Sequence, residues 1–177
     1  AILVGGHTSS GIPTTIVRID FGPNITNTSP VGTNWGNLGN LSYPHDLYLF
    51  EDAGHWYGFT VNFDNNTITK FDFTNSLANT PTAVNLGNLG NLAGPTGIQA
   101  MNDNGNWYVF VTNALGNTIT RLDFGSSLLN TPTATNMGNL GGGKLHKPWD
   151  IHMLKFCGEL LAYVINADGN YNELIQL

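Results

Sequence analysis

The side chains able to do chemistry in this chain are few, and those that stand together follow three recurring prolines. His45, Asp46 and Tyr48 follow Pro44, Thr96, Gly97 and Gln99 follow Pro95, and Trp149, Asp150 and His152 follow Pro148, with His146 just upstream. Imidazole and carboxylate are ligands for zinc and calcium, so His45, Asp46, Asp150 and His152 are the one set that could hold a metal. The middle copy supplies neither group. The plainer expectation is that Asp46 and Asp150 accept backbone hydrogen bonds at a turn. We assign ligand contact to His45, Asp46, Tyr48, Trp149, Asp150 and His152, and expect no catalytic residue, no metal site and no cofactor. Trp149 is the aromatic expected at the surface, where its ring could stack on a sugar or a peptide.

Other constellations are weaker. Asn166 to Glu173 alternates oxygen-bearing side chains around Gly169 like part of a calcium loop, but the same positions in the other copies are hairpin turns and the closing bidentate acid is missing. His7, Asp46 and Ser9 or Ser10 supply the ingredients of a nucleophile triad without a nucleophile-elbow motif. Asp20, Asp72 and Asp123 recur in every unit, which marks them as structural acceptors. Cys157 is the sole cysteine, so an intrachain disulfide framework and a cysteine zinc site are both excluded. Its apolar strand context suggests a buried, inert thiol. Trp35, Trp56 and Trp107 fall at expected core positions.

The composition narrows the classes further. Of 177 residues 41 % are hydrophobic, enough for a real core, whereas only 10 % are charged and 22 are glycine. Gly, Asn and Thr are poor helix formers, and Gly and Asn suit tight turns. The net charge of -6 and the scattered Lys and Arg argue against a nucleic-acid partner. No apolar stretch approaches the ~18 residues of a membrane span.

These residues are positioned by a repeat. Pro44, Pro95 and Pro148 are spaced by 51 and 53 residues. Gly54-His55-Trp56-Tyr57-Gly58-Phe59 returns as Gly105-Asn106-Trp107-Tyr108-Val109-Phe110, and Asn66-Thr67-Ile68-Thr69-Lys70-Phe71-Asp72-Phe73 returns as Asn117-Thr118-Ile119-Thr120-Arg121-Leu122-Asp123-Phe124. Each unit reads as four short strands. The first is Asp46 to Glu51, Gly97 to Asn102 and Asp150 to Lys155. The second is His55 to Val61, Asn106 to Thr112 and Glu159 to Ile165. The third is Thr67 to Phe73, Thr118 to Phe124 and Tyr171 to Leu177, and the fourth is Thr82 to Leu86 and Thr133 to Met137. The second strand is apolar on both faces, so its sheet must be covered on both sides. Four-stranded units of about 50 residues stacked face to face are the blades of a β-propeller. The expectation is an all-β propeller of four-stranded antiparallel blades forming an incomplete ring. Residues 1–43 are a partial blade, 44–94 and 95–147 are blades, and 148–177 is a partial blade. The phase of the terminal strands suggests part of a longer propeller, or else a subunit that closes by oligomerising.

The run from Pro95-Thr96-Gly97-Ile98 through Gly105-Asn106-Trp107-Tyr108-Val109 to Asn117-Thr118-Ile119-Thr120-Arg121-Leu122-Asp123 resembles NHL-type propeller repeats. With the tail at 122–141, the array is similar to those of large secreted surface proteins of Bacteroidota-type bacteria, substrates of type IX secretion. The resemblance implies a secreted or cell-surface module that binds or scaffolds rather than catalyses. Its partners would be a protein or glycan ligand, secretion machinery or other chains of the same surface assembly. The alternative it implies is a metal-dependent lyase or hydrolase of NHL-propeller type.

Overall fold

The computed structural model describes residues 1–7, 10–170 and 173–176. Among these residues every regular element of the chain's architecture is a β-strand, and the strands form four separate antiparallel sheets, none of which closes on itself. Sheet 1 is β1 (Ile2–Gly5), β2 (Thr15–Asp20) and β3 (Val31–Asn34). Sheet 2 is β4 (Pro44–Asp52), β5 (His55–Asn62), β6 (Thr67–Asp72) and β7 (Thr82–Gly87). Sheet 3 repeats it as β8 (Pro95–Asp103), β9 (Asn106–Asn113), β10 (Thr118–Gly125) and β11 (Thr133–Asn136). Sheet 4 is β12 (Pro148–Phe156), β13 (Glu159–Asn166) and β14 (Leu174–Gln176). Within each sheet the strands lie in chain order. The expected third strand at Tyr171 to Leu177 is thus present as β14, while Tyr171, Asn172 and Leu177 themselves lie outside the described residues. No helix among the described residues is long and apolar enough to cross a membrane.

Local backbone chemistry sets the hairpins. The turn between the first two strands is Ala53-Gly54, Asn104-Gly105 and Cys157-Gly158, each pair at positive φ (+49 and +83, +51 and +80, +51 and +85). Two consecutive positive φ values define the type I′ turn, whose twist matches that of the flanking strands. This corrects the expectation for Cys157. Its thiol is exposed, because the residue is the tip of a hairpin rather than part of an apolar strand.

The sheets pack face to face. Tyr57, Phe59 and Val61 of β5 share one core with Ile98 and Ala100 of β8, Val109 and Val111 of β9, and Leu122, Phe124 and Leu128. Ile16, Phe71 and Phe73 anchor the core around sheets 1 and 2, against which Trp35 and Trp56 pack. Phe110 and Met101 meet Ile151, Met153, Ala162 and Val164 between sheets 3 and 4. Trp107 is buried as expected, its indole N–H donating to Asp52 at 3.2 Å.

The abundance of Asn and Thr has a structural cause. Asn62, Asn113 and Asn166 end the second strand of their sheets, and all three are buried. Each Oδ1 accepts the amide of Ser42, Ala93 or His146 at 3.1 Å. The Asn113 Nδ2 donates to Thr118 and Thr120, as the Asn62 Nδ2 does to Thr67 and Thr69. Asp20, Asp72 and Asp123 accept the amides of Gly22, Thr74 and Gly125 at 2.7–2.8 Å, the structural role their recurrence suggested.

Candidate functional site

The residues singled out in the sequence sit where the first strand of each sheet begins. There the ladder is irregular: the register shifts between Pro44 and Leu47, between Pro95 and Ile98, and between Pro148 and Asp150. A bulge of this kind re-aims the residues it contains. His45-Asp46, Thr96-Gly97 and Trp149-Asp150 lie at these bulges, and β8 neighbours both β4 and β12. His45, Asp46, Thr96, Trp149 and Asp150 line a cleft of about 200 Å³.

Hydrogen bonds across the sheets hold the cleft. Asp46 Oδ1 accepts the Leu47 amide at 2.7 Å, and its Oδ2 accepts the Ile98 amide of sheet 3 at 2.9 Å. Thr96 Oγ1 donates to the Pro148 carbonyl of sheet 4 at 2.8 Å. Asp150 Oδ1 accepts the Ile151 amide at 2.8 Å, so both carboxylates do accept backbone donors at the bulge. Burial raises the Asp46 pKa, an effect its two backbone donors oppose and the nearby Asp150 charge reinforces.

The middle copy lacks a carboxylate for a steric reason. A Cβ on Gly97 would meet the Asp150 Cα at 2.7 Å and the Trp149 carbonyl at 3.0 Å. Only glycine permits this approach of β8 to β12.

Two of the six expected contacts are elsewhere. Tyr48 packs into the core of sheets 2 and 3 beside Phe50. His152 is exposed on β12 opposite Tyr163 and takes no part in lining the cleft. His45, Asp46, Asp150 and His152 therefore do not assemble, and among the described residues no three His, Cys, Asp or Glu side chains form a group able to hold a metal.

No protein-family model matches this chain, and no curated protein is significantly similar to it.

The cleft is one side of an aromatic cluster. His45 stacks on Phe63 at 5.0 Å between centroids and meets Trp149 edge-on at 5.2 Å. Tyr43 touches His45 at 4.5 Å and His7 at 4.0 Å. Trp149 is nevertheless 46 % exposed, so its ring covers the cluster on one side and faces solvent on the other. Burial lowers the His45 pKa, Asp64 opposes that effect, and His7 adds to it. The imidazole is therefore held toward its neutral form, and its Nε2 is buried without a hydrogen-bond partner among the described residues.

Tyr43, Phe63 and Asp64 were missed in the sequence, yet a signal was there. Phe63 stands where the other units carry Ala114 and Ala167, and all three make the same backbone bond to the residue before the proline. A bulky ring where the other copies keep alanine marks a local specialisation.

The triad ingredients combine differently from expectation. His7 Nδ1 lies 3.0 Å from Ser10 Oγ, and His7 Nε2 lies 3.5 Å from Asp64 Oδ2, while Asp46 is occupied as described and Ser9 lies outside the described residues. The amides of Ser10 and Ile12 both donate to the His7 carbonyl. Together these contacts clasp the loop after β1 to the turn after β5. In the calcium-like segment, Asn166 N donates to the Glu173 carbonyl at 3.0 Å, which closes the β13–β14 hairpin.

Proposed function

We propose that this chain is a non-enzymatic binding or scaffolding module of β-propeller architecture, secreted or displayed at the cell surface, which takes a glycan or protein ligand at the cleft beside Trp149. The propeller reading draws on four blade-like sheets whose first strands are neighbours, linked by Asp46 to Ile98 and Thr96 to Pro148. The binding reading rests on one observation: Trp149 presents half its surface to solvent while its ring is braced edge-on by His45 over a cleft that also offers the Asp150 carboxylate. A fixed aromatic ring beside hydrogen-bonding groups suits the apolar face and hydroxyls of a sugar, or a peptide side chain.

Tryptophan fluorescence during titration with a panel of neutral oligosaccharides and peptides tests it. The reading requires a saturable change that Trp149→Ala abolishes and Tyr48→Phe leaves intact. Failure of every ligand in the panel, or binding indifferent to Trp149→Ala, overturns it.

A further inference from the structure

Three rings of sheet 2 stand where the repeat does not call for them. Tyr43, His45 and Phe63 occupy the positions of Gly94, Thr96 and Ala114 in the next unit, and of Lys147, Trp149 and Ala167 in the one after. Tyr43 keeps its ring at φ +49, a backbone conformation for which the next unit uses Gly94 at φ +58. Together with Trp149 these rings box one imidazole. His45 stacks on Phe63 with 22° between the ring planes, and meets Tyr43 and Trp149 edge-on at 4.5 and 5.2 Å. The box thereby ties the start of β4 to the start of β12, past the sheet between them.

The ionisable groups around the box are Asp64, beside Phe63 in the turn after β5, and His7, in the loop after β1, whose ring meets Tyr43 at 4.0 Å. Asp46 and Asp150 line the cleft with His45, and His146 and Lys147 precede Trp149 on the chain. Asp64 favours a charge on His45 and His7 opposes it, but burial is the largest influence and disfavours the charge. Asp64 is moreover engaged by His7 Nε2 at 3.5 Å. A proton added to His45 makes both ring nitrogens donors. Its Nε2 is buried among the rings and has no acceptor among the described residues. A charged donor so placed is costly, and the imidazole recovers that cost by turning out to water. Trp149 then loses the ring that holds its edge.

We propose that His45 is a proton-operated latch on Trp149: neutral, it holds the indole edge-on over the cleft, and protonated, it leaves the aromatic box and frees the indole. The latch is closed above pH 6.5, the ordinary value for the group, and opens as pH falls through the lower folded value. What this does to a ligand rests on the binding reading of the Trp149 cleft: a ligand seated against the indole at neutral pH is released in acid.

The test needs no ligand. The four tryptophans of the whole chain are labelled as 5-fluorotryptophan and followed by ¹⁹F NMR from pH 7.5 to 4.5. Loss of one resonance in Trp149→Phe assigns it. The Trp149 resonance should titrate with a midpoint below pH 6.5. Its H2O/D2O isotope shift, which reads contact with water, should grow in acid by up to about twofold, the limit for a residue already 46 % exposed. His45→Gln should hold that isotope shift constant across the range. Phe63→Ala, which installs the residue of the other two units, should move the midpoint up toward 6.5 by opening the imidazole to water, and His152→Gln should leave it in place. If His45→Gln does not fold, the ¹³Cε1 resonance of His45 in the parent chain decides, because it must share the Trp149 midpoint. An isotope shift at Trp149 that is flat with pH, that changes as much in His45→Gln, or that follows a midpoint other than that of His45 overturns the latch. So does a midpoint that Phe63→Ala leaves unmoved. Loss of the latch leaves the binding reading to its own titration, and failure of every ligand there leaves the latch standing.

Discussion

Gln99 of sheet 3 satisfies both main-chain groups of Met153 in sheet 4, donating from Nε2 to its carbonyl at 2.9 Å and accepting its amide on Oε1 at 2.5 Å. Among the described residues β12 pairs only with β13, so its other edge presents backbone groups that need partners. The buried Gln99 amide supplies one donor and one acceptor, as a neighbouring strand would. Replacing it by Leu leaves two buried main-chain groups unpaired, a loss of about 2–4 kcal/mol. Gln99→Glu is expected to lose more at pH 7, since a carboxylate cannot donate to the Met153 carbonyl. Part of that loss should return near pH 4, where the protonated acid donates. Urea unfolding of both variants at the two pH values checks this.

Gly97 is where the cleft's geometry is decided, because β8 approaches β12 within the space a Cβ would need. Gly97→Ala pushes against the Asp150 Cα and the Trp149 carbonyl, backbone atoms that cannot rotate away. Overpacking of this kind costs about 1–3 kcal/mol. The same push displaces Trp149 from His45, so a shift of tryptophan emission should accompany the lower midpoint. Unfolding followed by fluorescence reads both at once.

His45 gives the stability a dependence on acid. Its folded pKa lies below the ordinary value of 6.5, so between the two the unfolded chain binds the proton more strongly. Stability from this group is complete above pH 6.5 and is lost as pH falls through that value toward the folded pKa. Asp46 acts oppositely in its own range: its raised pKa means that stability declines as pH rises from 3.8 through the folded value. His45→Gln removes the first effect alone. The drop in stability between pH 7.5 and 5.5 should therefore be smaller in His45→Gln than in the parent chain, by denaturant titration at both pH values.

Much of this architecture was legible in the sequence because its signals are local and repeated. The strands from His55, Asn106 and Glu159 begin as expected, since an apolar run following a turn-forming Gly defines each start. The site was less legible, because it depends on which residues of different sheets meet. Asp46 and Asp150 accept backbone donors as expected, though at a bulge rather than a simple turn, while Tyr48, two residues further on, packs against the core of sheets 2 and 3 and His152 is exposed on β12. Asp64 lies distant in sequence from His7 and carries no mark of pairing with it. Asn was read as a turn former, whereas Asn62, Asn113 and Asn166 end strands and spend their amides inside the fold.

Cys157 shows how a turn can be misread from its neighbours' polarity. The flanking Phe156 and Leu160 gave it an apolar setting, but the closing pair Phe156 to Glu159 makes Cys157-Gly158 a two-residue hairpin tip. The equivalent tip in sheet 3 is Asn104-Gly105, the pair best suited to two positive φ values. At φ +51 a cysteine Cβ crowds the following carbonyl, a strain that asparagine relieves by local hydrogen bonding. Cys157→Asn should therefore raise stability by about 0.5–1 kcal/mol, within the usual gain from matching a residue to its backbone. In the parent chain the native thiol should react with a water-soluble disulfide reagent as fast as it does in denaturant. Slow labelling of the folded protein would place the side chain inside after all, and an unchanged midpoint for Cys157→Asn would show that the turn carries no strain.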